Sequence, residues 1–418
     1  MVGLKKQRHT VLVFLVLLAI LTFLDRLCIA VAGPRMQADL GISTEHWGWV
    51  LGAFVLSYGL FEIPTGIMGD RSGQRSTLTR VVLWWSVFTS LTGAASNLWV
   101  LIAIRFLFGA GEAGAYPNMA GVVARWFPIR ERAQAQGFIW GASRFGGALA
   151  PLTVVPIQMA LGWRASFWIF GALGMVWCVA FWRWFRDTPA QHPGVTPAEL
   201  AEVKGAVAGA GHSMDWGVLL RSGQMWIILI MYGSYAWGSW FYFSWLHTYL
   251  VKARGFAESE MAIASSLPFL LGAVANIVGG RLSDHAVRIY GARRGRTLIG
   301  SVCLSVSAVL LMATAFTSGK LAAVALLTIS FGVMDLMLPS AWALCVDIGG
   351  EHTGAVTGAM NASGQLGGFF CTVIFGYVSA YFQSLHAPLL VIGCMLLFSA
   401  AMFWQIDPTR PLFEKKEH

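Results

Sequence analysis

The chain has 418 residues, of which 12% are charged and 56% hydrophobic, with a mean hydropathy of +0.64 and a formal charge of +9. That charged share is about half of what a soluble globular chain carries, and a soluble domain of this size could not hide so much apolar surface. The composition therefore excludes a soluble enzyme and implies a protein covered by the lipid bilayer. The basic residues do not gather into a patch, which argues against nucleic acid as a partner.

The N-terminus is basic at Lys5, Lys6 and Arg8, and an apolar run opens at Val11. The run carries Asp25-Arg26 near its centre and lacks a small-residue cleavage site, so a retained first span is expected rather than a signal peptide. A helical span needs roughly 20 mostly apolar residues. Twelve such runs follow one another, at 11–33, 46–69, 76–96, 98–122, 133–158, 163–185, 224–250, 258–282, 297–317, 320–344, 353–382 and 386–406. With the N-terminus inside, the cytoplasmic segments with their adjoining span ends hold 21 of the 29 Lys and Arg and the outer ones 5, leaving Arg26, Arg105 and Arg144 deep within spans. A missed or invented span would scramble this alternation, so the charges support twelve spans with both termini cytoplasmic.

The longest polar stretch, 187–222, carries Pro189, Pro193 and Pro197 and reads as a cytoplasmic linker. The expected organisation is an N-terminal six-helix half at 1–186, that linker, and a C-terminal six-helix half at 223–418. Gly66-Ile-Met-Gly-Asp70-Arg71-Ser-Gly73-Gln-Arg75 follows span two, and Gly280-Arg-Leu-Ser-Asp284 follows span eight. Matching Gly-x-x-x-Asp motifs at the same place in each half indicate a parallel internal repeat. The fold class is thus an all-α membrane protein, with twelve transmembrane helices in two pseudo-symmetric halves. The six cysteines, Cys28, Cys178, Cys303, Cys345, Cys371 and Cys394, lack metal-ligand spacing and read as small packing residues. Gly109–Gly114 has no Lys-Ser/Thr after it, so it is not a phosphate loop. No enzyme activity, cofactor or metal is expected, and in the absence of an ATP-binding domain a gradient must drive transport.

Charged residues within a span cost roughly 2.5–3.5 kcal/mol each and mark functional sites. Here they are Asp25, Arg26, Glu62, Arg105, Glu112, Arg144 and Asp335. Arg105 and Glu112 lie about two turns apart and share one face of span four, whereas the neighbours Asp25 and Arg26 point roughly 100° apart. A buried cation can bind a substrate carboxylate, and a buried acid can take and release a proton. The alternative is a charge network that only fixes helix packing.

The Gly66–Arg75 stretch resembles the signature loop of the major facilitator superfamily. Four further stretches carry the resemblance to its anion:cation symporter family, which includes bacterial galactonate, glucarate and hexuronate carriers. They are Phe23-Leu-Asp25-Arg26, Arg105 to Pro117, Trp126 to Ala133, and Gly358-Ala-Met-Asn361-Ala-Ser-Gly364. The resemblance implies that Asp25 and Glu112 form the proton-coupling pair and that Arg26 and Arg105 serve substrate and coupling. It also places Tyr58 and Asn361 at the cavity, and gives Asp70, Arg71, Arg75 and Asp284 the role of a conformational latch. Sugar-acid carriers often have Gln where this chain has Arg144, and Tyr where it has Phe23. Arg144 reads as a second carboxylate clamp, with pairing to Glu62, Glu112 or Asp335 as the alternative. Ser340 and Trp342 are candidate cavity residues, with packing as their other reading.

The expected function is proton-coupled uptake of a small organic anion by a monomer in the bacterial inner membrane. The competing readings are a proton-driven efflux exchanger, whose span-five Gly-Pro motif is missing here, and a ligand sensor that transports nothing.

Overall fold

A computed structural model describes residues 6–203, 221–349 and 353–410, and their regular structure is helical only. The helices follow the twelve apolar runs. In the first half they are α1 (Gln7–Leu40), α2 (Thr44–Ser72), α3 (Gln74–Gly93), α4 (Leu98–Glu112), α5 (Ala115–Trp126), α6 (Ile129–Leu161) and α7 (Trp163–Trp184). A short α8 (Pro197–Val203) lies in the linker stretch. Then come α9 (Gly223–Ser244), α10 (Glu258–Phe316), α11 (Lys320–Leu336), α12 (Leu338–Gly349), α13 (Thr353–Tyr381) and α14 (Ala387–Gln405). Span seven extends beyond α9 through a π-helical segment, Tyr249–Ala253. α10 carries spans eight and nine, which part at Gly291 with φ 77°.

Among the described residues seven helical stretches are long and apolar enough to cross a membrane by those measures alone. Large apolar side chains such as Trp99, Val176 and Leu321 stand outside the protein core at 75%, 65% and 82% exposure. Lipid is the medium that accepts such a surface around fully helical backbone.

Spans four and ten are each broken, and proline explains both. Pro117 has no N–H to give the Ala113 carbonyl, so the helix opens between Glu112 and Ala115. Pro339 likewise deprives the Asp335 carbonyl, and the Met337 N–H turns back to the Met334 carbonyl at 3.2 Å. The turn from α2 to α3 needs Gly73, whose φ is 81°. Asp187 Oδ1 accepts the Arg75 backbone N–H there at 2.8 Å, a carboxylate seated on the first turn of α3.

The packing divides into two compact units: residues up to Ala32 with Ala53–Ala210, and Gly33–Gly52 with Gly211–His418. In the first unit Arg8, 2% exposed, bonds Glu202 of α8 at 2.7 Å and Glu131 of α6 at 3.0 Å. Lys6 also reaches Glu202 at 2.7 Å, and Glu199 accepts the Gln7 and Arg8 backbone N–H groups. The Lys6 ammonium and the Arg8 guanidinium hold the Glu202 carboxyl down at about 2. Thus α8 and its acids are fastened to the start of α1.

Candidate functional site

Inside the first unit, α1 delivers Arg26 to Glu112 at the end of α4. Arg26 Nε and Nη2 both bond Glu112 Oε1, at 2.9 and 2.5 Å. The two side chains are 10% and 0% exposed. Because both donors share one oxygen, Glu112 Oε2 has no hydrogen-bond partner among the described residues. Arg26 Nη1 lies outside the pair as well. Three rings surround the guanidinium, with centroids 5.1 Å away for Phe23, 5.3 Å for Phe54 and 4.9 Å for Tyr58. Such cation–π contacts hold the charge in place while leaving its edge available to an anion.

Asp25 makes no hydrogen bond to this pair and is 1% exposed. Neither carboxylate oxygen accepts a hydrogen bond among the described residues, and the Trp85 indole stands beside it short of hydrogen-bond geometry. Arg105 and Glu112 both act on Asp25 electrostatically. Arg105 is 2% exposed and packs its guanidinium on Phe54 at 4.9 Å and Phe108 at 4.4 Å. Cys28, one turn from Asp25, shares the field of Asp25 and Arg105. Arg105 and Glu112 act on each other electrostatically, and the direct ion pair to Glu112 is made by Arg26.

Tyr116 of α5 adjoins the cluster within the fields of Arg26, Glu112 and Arg144. Its Oη lies 2.6 Å from Ser143 Oγ. Ser143 donates to the Ile139 carbonyl at 2.9 Å, so the Tyr116 O–H is the donor to Ser143. Trp140 stacks on Tyr116 at 4.8 Å and 11°. Arg144, next to Ser143 on α6, is half-buried, as is Glu62, whose charge reaches Tyr58.

In the second unit, Ser340 is fully buried, and its hydroxyl has no hydrogen-bond partner among the described residues. Trp342 and Asn361 are half-buried. Asp335 accepts the Asn276 amide N–H at 3.0 Å.

The loop residues are committed locally. Arg75 bonds the Trp182 carbonyl and lies over the Trp182 ring at 4.3 Å. Arg71 and Asp284 are exposed, and the side chain of Asp70 lies outside the described residues. Sequence reasoning missed the ion pair in the second unit between Arg296 and Asp347 at 2.5 Å, which Ser283 joins at 3.2 Å. Among the described residues no group of His, Cys, Asp and Glu could hold a metal ion, and all six cysteines are free thiols.

An all-helical membrane protein with an ion-paired cluster in its interior is the architecture of a secondary carrier. The Major Facilitator Superfamily matches residues 15–372, and the chain belongs to it. The chain is 33% identical over 408 residues to the probable sulfoacetate transporter of Cupriavidus necator, covering 96% of this chain and 94% of that one. It is 27% identical to the probable L-galactonate transporter of Escherichia coli, over 96% and 89% of the two chains. It is 26% identical to the hexuronate transporter of Bacillus subtilis, over 94% and 93%. These relatives bear out the resemblance to the anion:cation symporters. The fold is matched by an inward-facing bacterial homologue of the human lysosomal transporter Spinster, with a TM-score of 0.81, 20% identity and coverage of 95% and 96%. A D-xylose-proton symporter matches at a TM-score of 0.74 and 15% identity, over 95% and 97% of the chains.

Proposed function

We propose that the chain takes up a small organic anion together with protons by alternating access of two six-helix halves. The halves are 1–186 and 223–418, with 187–222 as linker, and the carrier is a monomer of the bacterial inner membrane with cytoplasmic termini. The Arg26–Glu112 pair is the observation that carries the reading. Arg26 has two competing partners, the Glu112 carboxylate and the anionic head of a substrate. With Glu112 ionised, the guanidinium is closed on its own chain. A proton on Glu112 cancels that charge and leaves Arg26 to the substrate. Proton and anion then load together, and by linkage each raises the affinity for the other. Asp25 is the second group of the proton-coupling pair, and Arg105 balances both acids while taking part in substrate coupling.

Arg144 provides a second cation on the same unit, and Tyr116 lies within the fields of both Arg144 and the pair. This favours a substrate with two anionic ends. Sulfoacetate, the compound named for the 33% identical relative, has a sulfonate and a carboxylate. Ser340, Trp342 and Asn361 are proposed as substrate contacts of the second half. Asp70, Arg71, Arg75 and Asp284 bias the conformational equilibrium from the loops.

The test is uptake of labelled sulfonates, dicarboxylates and sugar acids into proteoliposomes under an imposed pH gradient. Accumulation that follows the gradient is expected. Uptake indifferent to the gradient overturns proton symport, and failure of every anion overturns the substrate class.

A further inference from the structure

We propose that His386 is a proton-binding site that, once charged, releases the end of span seven. That end is the π-helical segment Tyr249–Ala253, and the next residue, Arg254, fastens it to its neighbours. Arg254 is 8% exposed. Its Nε donates to Tyr249 Oη at 2.8 Å, while Nη1 and Nη2 donate to the Thr317 and Thr314 carbonyls. Those carbonyls lie at the C-terminal end of α10, a place that suits a cation.

His386 stands immediately before α14, with Nδ1 3.1 Å from Tyr249 Oη. Burial sets the direction of this bond. Tyr249 is 0% exposed, so water does not reach its hydroxyl. The oxygen already accepts from Arg254, and among the described residues His386 Nδ1 is the acceptor that its O–H reaches. The hydroxyl therefore donates to Nδ1, and the imidazole is neutral with its proton on Nε2. Arg254, Tyr249 and His386 form a relay in which each bond orients the next.

A proton on Nδ1 breaks the relay, because two donors then face each other. Were the new N–H to turn to the phenol oxygen, the Tyr249 O–H would be left buried without an acceptor. Among the described residues Arg254 is the charged group whose field reaches His386, and it repels a second positive charge there. The closed arrangement thus disfavours the charged imidazole, and by linkage charging the imidazole opens the arrangement. The other ionisable groups near this end are turned elsewhere. Lys320 of α11 donates to the Gly255 carbonyl at 2.6 Å, and Tyr377 of α13 accepts from Trp49 at 3.0 Å. Lys252 donates to Gln37 Oε1 at 2.9 Å. Gln37 lies in the Gly33–Gly52 segment, which packs within the second unit. Release of Tyr249 and Arg254 therefore loosens the chain on which the end of α1 rests.

The placing of this end at the outer face rests on the topology proposed above, but the switch does not. Solid-state NMR of the full chain in liposomes, with isotope-labelled histidine, reads the tautomer of His386, whose signal is the one missing in His386→Gln. A neutral ring protonated at Nε2 is expected at alkaline pH, and one protonated at Nδ1 overturns the relay. Hydrogen exchange reads the release. Protection factors over residues 249–256 should fall roughly 5–100-fold as pH drops below the ordinary histidine value of about 6.5. His386→Gln keeps an acceptor that takes no proton, so its protection should stay high throughout. His386→Leu removes the acceptor, so its protection should stay low. Wild-type protection that ignores pH, or an equal fall in His386→Gln, overturns the switch. Should His386→Leu fail to fold, the wild type against His386→Gln decides alone. With the pH difference across the membrane held constant, acidifying both sides should speed uptake in the wild type and not in His386→Gln. An equal response overturns the part of the switch in transport. A wild-type carrier that moves no protons refutes the symport reading, while the protection factors still decide the switch.

Discussion

The two units meet the same problem, an acid next to a broken span, with different partners. In the first, Glu112 is bonded to a guanidinium within a cluster of opposite charges. In the second, Asp335 accepts the N–H of the Asn276 amide. An acid paired with a cation is tied to whatever else competes for that cation, which is how an anionic substrate can enter the equilibrium. Similar backbone breaks thus hold acids with different hydrogen-bond donors, a guanidinium in one unit and an amide in the other.

The comparison is broken most strongly by removing the cation. Arg26→Ala leaves Glu112 buried without its hydrogen-bonded partner, and deleting one member of a buried pair costs about 3–5 kcal/mol. A marked fall in melting temperature and loss of accumulative uptake are expected. Glu112→Gln is expected to fold and to take up substrate without response to the pH gradient. Next in size, Arg144→Gln should weaken binding of doubly charged acids by about 10–100-fold, the equivalent of a charge-assisted hydrogen bond of roughly 1.5–3 kcal/mol. Singly charged acids should lose much less, and competition assays separate the two. An equal loss for all substrates removes the clamp from the first unit's account. Tyr116→Phe deletes the donor to Ser143 and should change KM only a few-fold, in line with about 0.5–1.5 kcal/mol for a neutral bond.

The smallest effect concerns the fastening of α8. Glu202 sits at about 2 in the folded chain, below its ordinary value of about 4.3. Its contribution is complete above that ordinary value and is lost as pH falls through about 2. Hydrogen exchange in α8 should therefore be level across neutral pH and rise only in strong acid, and Glu202→Gln should abolish that dependence.

The fold was legible because apolar runs and loop charges repeat with the membrane's own period. The broken spans were partly legible, since Pro117 and Pro339 stand in plain view, although nothing local says that an acid lies just before each break. Asp25, Arg26, Arg105 and Glu112 were visible because charges are rare in such runs. Which cation meets Glu112 was not. Spacing on one helix favours Arg105, while the pair is made by Arg26, 86 residues from Glu112. The same limit hid Asn276 beside Asp335, Asp347 beside Arg296, and the Trp182 carbonyl that holds Arg75. Each is a contact between elements far apart in sequence, which spacing along one helix does not reveal.

The Arg26–Glu112 pair also has a consequence for biogenesis. Translation proceeds at roughly 5–20 residues per second. The 86 residues separating the two side chains therefore take about 4–17 s to synthesise. During that interval the first span must enter the bilayer carrying a charge whose counter-ion does not yet exist. Its apolar residues have to carry Asp25 and Arg26 into the membrane on their own. The strongly apolar character of α1 on either side of its charges is thus a requirement of synthesis order, before it is one of transport.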